Sequence, residues 1–371
     1  MAAEKLVGQA CAALERKQPA ESRRLYAQAL QIFQSQDMQV RWMESHITIA
    51  RSWAGGMEQP FVAQEYLDAA LHDYFRPPLT GPEWEAYARI YLIKGHISRR
   101  YIADLLGAAK NYEKCYDIFV RQLQENNVGI ANHLYHQLGN VYTRLGDYER
   151  AENLLRRGIA YGKTHHHPEI GKYGDLAIAL VDVGKNQEAL EVIQDGLTNG
   201  LSDKVLVTTR LCEARARLKL GHPKAAALAL SECPGLIRQL PAEETAREYY
   251  WAGYYATLGT IQDSLGNYRQ AENNYRQAIQ NEIICWKTQY RREVGKSYAN
   301  LGYFYLRQQK PEQALQAFQQ SLQCVLREFH PRSANEHPVA GQFHAENTII
   351  EGLVGKAAAF CALGQPEQAL V

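Results

Sequence analysis

The chain is 371 residues long, with 41 Lys and Arg against 40 Asp and Glu and a formal charge of +1, so it carries no global field to hold nucleic acid or an anionic membrane. Its 46% hydrophobic content can bury a continuous core, but single compact cores stop growing near roughly 250–300 residues, which leaves two domains or one elongated array. Seven scattered cysteines with no C-x-x-C pair, no apolar leader in residues 1–7 and no 18-residue apolar run argue against a disulfide framework or a spanning helix, and predict a cytoplasmic protein.

From the N-terminus, Ala10 with Tyr26 and Ala29, then the stretch from Ala50 to Ala70, read as two weak helix pairs. Arg76-Pro77-Pro78-Leu79-Thr80-Gly81-Pro82 is a break that closes an N-terminal block at residues 1–78. Another weak copy centres on Ala103, Cys115 and Phe119. Beyond it one phrase recurs: Leu138-Gly139 with Tyr142, Leu145-Gly146-Asp147 and Ala151; Leu258-Gly259 with Leu265-Gly266-Asn267 and Ala271; Leu301-Gly302 with Tyr305 and Ala314. A glycine inside a helix costs about 1 kcal/mol against alanine. Its return at one phase therefore predicts two helices crossing closely, at Gly139, Gly259 and Gly302 on the first and at Ala151, Ala271 and Ala314 on the second. Tyr142, Tyr305, Tyr275 and Phe318 supply bulk between neighbouring pairs, and Gly146 and Gly266 end first helices as C-caps. This phasing spans a main array at 79–328. Residues 329–346, with Pro331 and Pro338, read as an exposed polar inserted loop. Residues 347–371 read as a last repeat cut one turn into its second helix, so the natural protein is expected to continue past Val371.

These residues resemble the tetratricopeptide consensus. The resemblance implies an all-α, right-handed superhelical solenoid of about nine helix-turn-helix pairs. Small residues at Gly139, Ala177, Ala214, Gly259, Gly302 and Ala357 are spaced by 38, 37, 45, 43 and 55, longer than the usual repeat of about 34 and nearest to the kinesin-light-chain type, with His167-Pro168 and His337-Pro338 ahead of first helices. In such a fold the first helices line a concave groove that holds a protein or peptide partner. Side chains at set offsets from the small residue then point into it: His136, Gln137, Asn140, Thr143 and Arg144; Asp175, Ile178 and Asp182; Thr257, Thr260 and Asp263; Lys296, Asn300, Tyr303 and Arg307. One amide at Asn300 can both donate to and accept from a peptide backbone, and Lys296 and Arg307 can hold a carboxylate. Set against this is the ordinary reading of each as a solvated polar position.

The stretch Ala345-Glu346-Asn347-Thr348-Ile349-Ile350-Glu351-Gly352-Leu353-Val354-Gly355-Lys356-Ala357-Ala358-Ala359-Phe360 resembles the last repeat ahead of the protease domain in bacterial proteins that join tetratricopeptide repeats to a caspase-like CHAT domain. The catalytic His and Cys of that family lie in the following domain, so no catalytic role passes to a residue here. What the resemblance implies for this chain is a non-enzymatic sensing and scaffolding arm that regulates such a protease. A free-standing cargo adaptor and an RNA-associated helical-repeat protein are the competing readings.

Other constellations read as structural. His165-His166-His167 with Glu169 is the densest set of ligand-type residues, but adjacent residues rarely aim at one ion, and a turn closed by Pro168 explains them without a metal. Cys212 and Cys324 sit in helical phrases with no glycine-rich turn to present a nucleophile. No phosphate-loop, dinucleotide, zincin or nucleophile-elbow phrase occurs, so no cofactor is expected. Trp286-Lys287-Thr288-Gln289-Tyr290-Arg291-Arg292 and Ser98-Arg99-Arg100-Tyr101 mix basic and aromatic residues as nucleic-acid surfaces do, against a net charge near zero.

Overall fold

The computed structural model describes residues 2–74, 79–102, 104–167, 172–199, 203–240, 246–326, 328–339 and 347–369, and among them the chain is all-helical with no strand. Contacts divide it into two compact units, residues 1–143 with 149–171 and residues 144–148 with 172–371. The division falls inside the stretch expected to be one main array. Residues 76–78 of the expected break, the position of Ala103, the Pro168-Glu169 end of the histidine run and residues 340–346 of the expected inserted loop lie outside the described residues.

The first unit is built from α1 (Ala2–Glu15) and α2 (Pro19–Ser35), α3 (Gln39–Gly55) and α4 (Pro60–Tyr74), α5 (Gly81–Ile97) running into a π-helix (Ser98–Ile102) and α6 (Leu105–Arg121), then α7 (Val128–Leu145) and α8 (Tyr148–Thr164). Prolines open α2 and α4, where the missing N–H has no partner to lose. Thr80 and Glu83 form a reciprocal cap at the start of α5, and Asp104 Oδ1 accepts from Gly107 N at 2.8 Å to start α6. The interior is aromatic: Trp42, Tyr26 and Phe33 are almost fully buried, with the His46 ring 5.4 Å from Tyr26 and 4.0 Å from Trp42.

The second unit contains α9 (Tyr173–Asp182) and α10 (Asn186–Thr198), α11 (Asp203–Lys219) and the broken pair α12 (Pro223–Ala229) and α13 (Cys233–Gln239), α14 (Ala246–Ser264) and α15 (Tyr268–Trp286), α16 (Arg292–Arg307) and α17 (Pro311–Val325), and α18 (Asn347–Ala362) before a short 3-10 turn, Pro366–Ala369. Pro234, in the first turn of α13, breaks what would otherwise be one second helix.

The repeat phase is visible atom by atom. A Cβ on Gly139 would stand 2.6 Å from Leu155, one on Gly259 3.1 Å from Tyr275, and one on Gly302 2.8 Å from Phe318. Ala151, Ala189, Ala226, Ala271 and Ala314, on the second helices, are fully buried. Gly146 and Gly266 leave their helices at φ +82° and +80°, the left-handed conformation that a C-cap requires. The same crossing occurs further upstream than the weak copy at Ala103 suggests. Gly95 on α5 faces Tyr112 on α6, and a Cβ there would lie 2.5 Å from the ring. Gly139–Leu155, Gly259–Tyr275 and Gly302–Phe318 are each 16 residues apart, whereas Gly95–Tyr112 are 17. The extra residue is taken up where the π-helix stands, between the two.

Candidate functional site

Within the second unit, neighbouring first helices are tied to one another by polar side chains. Asp182 at the end of α9 pairs with Arg215 on α11 at 2.9 Å, Asp263 on α14 with Arg307 on α16 at 2.7 Å, and the Tyr303 hydroxyl on α16 donates to the Glu351 carbonyl on α18 at 3.0 Å. Residues far along the chain join the same face. Arg144 pairs with Glu293 at 3.1 Å, and Asn347 Nδ2 donates to the Tyr148 hydroxyl at 3.1 Å, bringing the turn 144–148 against the starts of α16 and α18. Tyr249 on α14 lies in the field of Arg144, Glu282, Glu293 and Asp175.

Lys296 sits amid these charges. Burial first, then the nearby Arg215 and Arg292 guanidinium groups, hold its ammonium below the ordinary lysine range, while Asp182 and Glu351 oppose the shift. Among the described residues it forms no ion pair or hydrogen bond. Asn300, one helical turn on, is half-buried and likewise without a hydrogen bond among the described residues. Lower on the same unit, Glu282 is buried against Trp286, whose indole donates to it at 2.8 Å. Burial and the nearby Glu293 push its carboxyl up to about 8, so it carries its proton at neutral pH.

Of the side chains singled out by spacing, Arg144, Asp175, Thr260, Lys296, Asn300, Tyr303 and Arg307 fall in the second unit, while His136 and Asn140 belong to the first. Arg307 is already engaged by Asp263, and Tyr303 by the Glu351 carbonyl. Thr260 donates to the Ala256 carbonyl and accepts from Tyr275, so its hydroxyl serves the helix crossing. Asp175 is buried at the start of α9. His136 is half-buried, its ring bonded to the Gln137 amide at 3.1 Å. Arg215, Glu293, Glu351 and the Asn347–Tyr148 link went unpredicted. Arg215 was within reach: it follows Ala214 as Thr260 follows Gly259 and Tyr303 follows Gly302. Glu293 and Asn347 sit where no repeat phase points.

Elsewhere the ordinary readings have physical explanations. His165 stacks on Tyr161 at 3.9 Å and bonds its carbonyl at 2.9 Å, and no group of three His, Cys, Asp or Glu side chains converges among the described residues. Burial pushes the Cys212 and Cys324 thiols up to about 12, far from a thiolate at neutral pH. No described helix is long and apolar enough to cross a membrane.

The loop expected to be exposed is anchored where it is described. Lys356 on α18 is fully buried; its ammonium donates to Gln319 Oε1 at 2.6 Å and to the Glu336 carbonyl, and Gln319 donates to the Ser333 and Glu336 carbonyls at 3.2 and 3.3 Å. Burial lowers the lysine to about 8. A lysine among alanines gives no sequence signal for this role.

Family models of the tetratricopeptide repeat match residues 134–166 and 257–328, so repeats of this type are present in both units. A search of curated proteins finds no match. Among solved structures, the chain is similar to a Rap protein complexed with Competence and Sporulation Factor, at 13% identity and a TM-score of 0.58, covering 99% of this chain and 94% of that one. The P58(IPK) TPR domain (14% identity, 99% and 90% covered, TM-score 0.23) and the APC/C hetero-tetramer Cut9-Hcn1 (14%, 96% and 77%, 0.28) also align. The first of these likenesses supports the helical-repeat fold.

Proposed function

We propose that the second unit binds an extended segment of a partner protein on the face shared by α9, α11, α14, α16 and α18, with Lys296 and Asn300 as its contacts. The observation that carries this reading is the contrast along α16: around it the charged side chains are paired, while these two lie one turn apart with polar atoms unused among the described residues. An ammonium held in a desolvated setting offers a carboxylate a strong partner, and an amide can donate to and accept from one peptide unit. Residues on the four remaining helices of that face then position the segment. The Rap protein holding its factor supports the reading that a fold of this kind accommodates a bound molecule.

A peptide selected on the parent protein from a random library, with its affinity measured calorimetrically, provides the test. Lys296→Ala with Asn300→Ala should weaken it by at least about tenfold while leaving the thermal melting curve in place. Unchanged affinity moves the site away from this face.

The finer proposal is that partner binding here restrains or releases a caspase-like CHAT protease. It rests on the resemblance over residues 345–360, part of which, Asn347 and Glu351, is bonded into the same face. The intact mass of the protein from its native source tests it: a mass well above 42.0 kDa supports an appended effector, and 42.0 kDa leaves an adaptor.

A further inference from the structure

A groove on the second unit is used neither by that reading nor by the packing of the repeats. It runs between the second helices α15 and α17, with α16 at its base, and encloses about 670 Å³. Tyr298, Leu301 and Tyr305 recur along α16 there, roughly half a turn round that helix from Lys296 and Asn300. With Ile279 and Ile283 from α15 and Ala317 from α17 they make a largely apolar floor. At its edge Ile284 stands 54% exposed.

The walls are amides. Gln280 on α15 and Gln313, Gln316 and Gln320 on α17 line the groove; all four are exposed, and none of these side chains makes a hydrogen bond among the described residues. The three on α17 recur at helical spacing and so share one face. That helix carries five glutamines in its fifteen residues and a single charge, Glu312. Gln319 turns inward to Lys356 at 2.6 Å. Depletion of charge beside apolar surface is the composition of the centre of an interface, whereas an ordinary solvated helix face bears lysines and glutamates. Arg276 is the one charged side chain among the described residues of the lining, and it is already answered. Its guanidinium donates to Glu272 at 2.9 Å and to the Tyr305 hydroxyl at 3.0 Å, and that hydroxyl donates to Glu272 at 2.8 Å. A charged segment entering the groove would shed water and meet no counter-charge, a cost that selects against it.

We infer that this groove takes an extended, uncharged segment of a partner protein, with alternate side chains on the floor and peptide groups bridged by the glutamines. A primary amide both donates and accepts, matching the N–H and C=O that each peptide unit presents. A helical partner satisfies its own backbone and has no use for a row of amides; an extended one brings unpaired N–H and C=O groups. The spacing agrees. Gln316 and Gln320 stand about 6 Å apart along the axis of α17, and alternate residues of an extended chain repeat every roughly 6.6 Å. The groove lies on the far side of α16 from Lys296 and Asn300, so it stands or falls independently of the face they mark.

The test follows the side-chain amide resonances of the full chain carrying isotope-labelled glutamine, assigned from single variants, as blocked heptapeptides are added. The peptides alternate valine with serine, with glutamate or with lysine; two further probes are the serine peptide N-methylated along its backbone and a helix-forming peptide of alanine, leucine and glutamine. The serine peptide should move Gln280, Gln313, Gln316 and Gln320 saturably, and bind at least about tenfold more tightly than the charged or N-methylated ones. Gln316→Ala with Gln320→Ala, both exposed positions, should weaken it at least about tenfold, read at Gln280 and Gln313, with the melting curve unchanged. Lys296→Ala with Asn300→Ala should leave it unaltered. No saturable shift at these amides, equal affinity for a charged or N-methylated peptide, or affinity retained in the glutamine variant overturns the inference. Tighter binding of the helix former overturns it too, as does a concentration-dependent dimer of the parent in sedimentation that the glutamine variant abolishes, which would give the groove to a second copy of the chain.

Discussion

In the second unit Arg144 meets Glu293, Asp182 meets Arg215 and Asp263 meets Arg307, whereas in the first Arg51, His96, Arg100 and His133 gather at one pocket without a carboxylate. Both faces are presented by first helices of the same kind of repeat. The difference shows that the repeat dictates where side chains point but not whether they complete one another. Where opposite charges fall on adjacent helices the face is largely self-satisfied, and among the described residues Lys296 and Asn300 keep unengaged side-chain atoms for a partner.

The largest expected break in this comparison is at Lys356. Lys356→Ala leaves a cavity and strands Gln319 and the Glu336 carbonyl, and should cost about 3 kcal/mol, a fall in Tm of roughly 6–12 °C, while Arg51→Ala in the first unit should stay within about 0.5 kcal/mol. Urea denaturation of both variants measures this, and comparable losses would mean that Arg51 is paired in solution. Next comes Arg144→Ala. It leaves Glu293, only 14% exposed, without its counter-charge and should cost about 1–2 kcal/mol, less than a fully buried pair and more than a surface one. Restoring stability with Glu293→Gln in the same background would show the cost to be the stranded carboxylate.

The smallest effect separates the units by sign. In the first unit His46 and His96 lie near 4 and 3 against an ordinary 6.5, in each case chiefly through burial. The unfolded chain takes up these protons first, so the first unit loses stability as pH falls from about 6.5 toward those values. In the second unit Glu282 near 8, against 4.5, keeps a proton that the unfolded chain has released. Its contribution is full below pH 4.5 and lost as pH rises to 8. Each slope is bounded at about 1.4 kcal/mol per pH unit per proton and is smaller where water screens the group. Hydrogen exchange followed separately in α3 and α5 and in α15, corrected for intrinsic rates, should show opposite trends; His96→Gln and Glu282→Gln should flatten each.

How far the chain could be read from its letters follows from the range of the forces involved. Gly139, Gly259 and Gly302 with their alanine partners 12 residues on were legible because a close crossing tolerates no side chain, a local demand that repeats with the helix pair. The C-cap glycines were legible for the same reason, since a positive φ is a property of one residue. The groove was legible only as a set of directions. Spacing placed Arg307 and Tyr303 on the face but could not tell that Asp263 and the Glu351 carbonyl occupy them, because those partners lie 44 and 48 residues away. The Gly95 crossing was hidden by one inserted residue that shifts the phase by a turn's fraction, and the Arg144–Glu293 and Tyr148–Asn347 links lie 149 and 199 residues apart.

The sequence by itself determined the helices, their pairing and the small residues at each crossing, since these depend on steric rules acting within about forty residues. Which charges meet, which stay unanswered and which lysine is drawn into the core were decided by the tertiary structure alone, because Coulomb and hydrogen-bond partners are chosen by distance in space and periodicity carries no record of it.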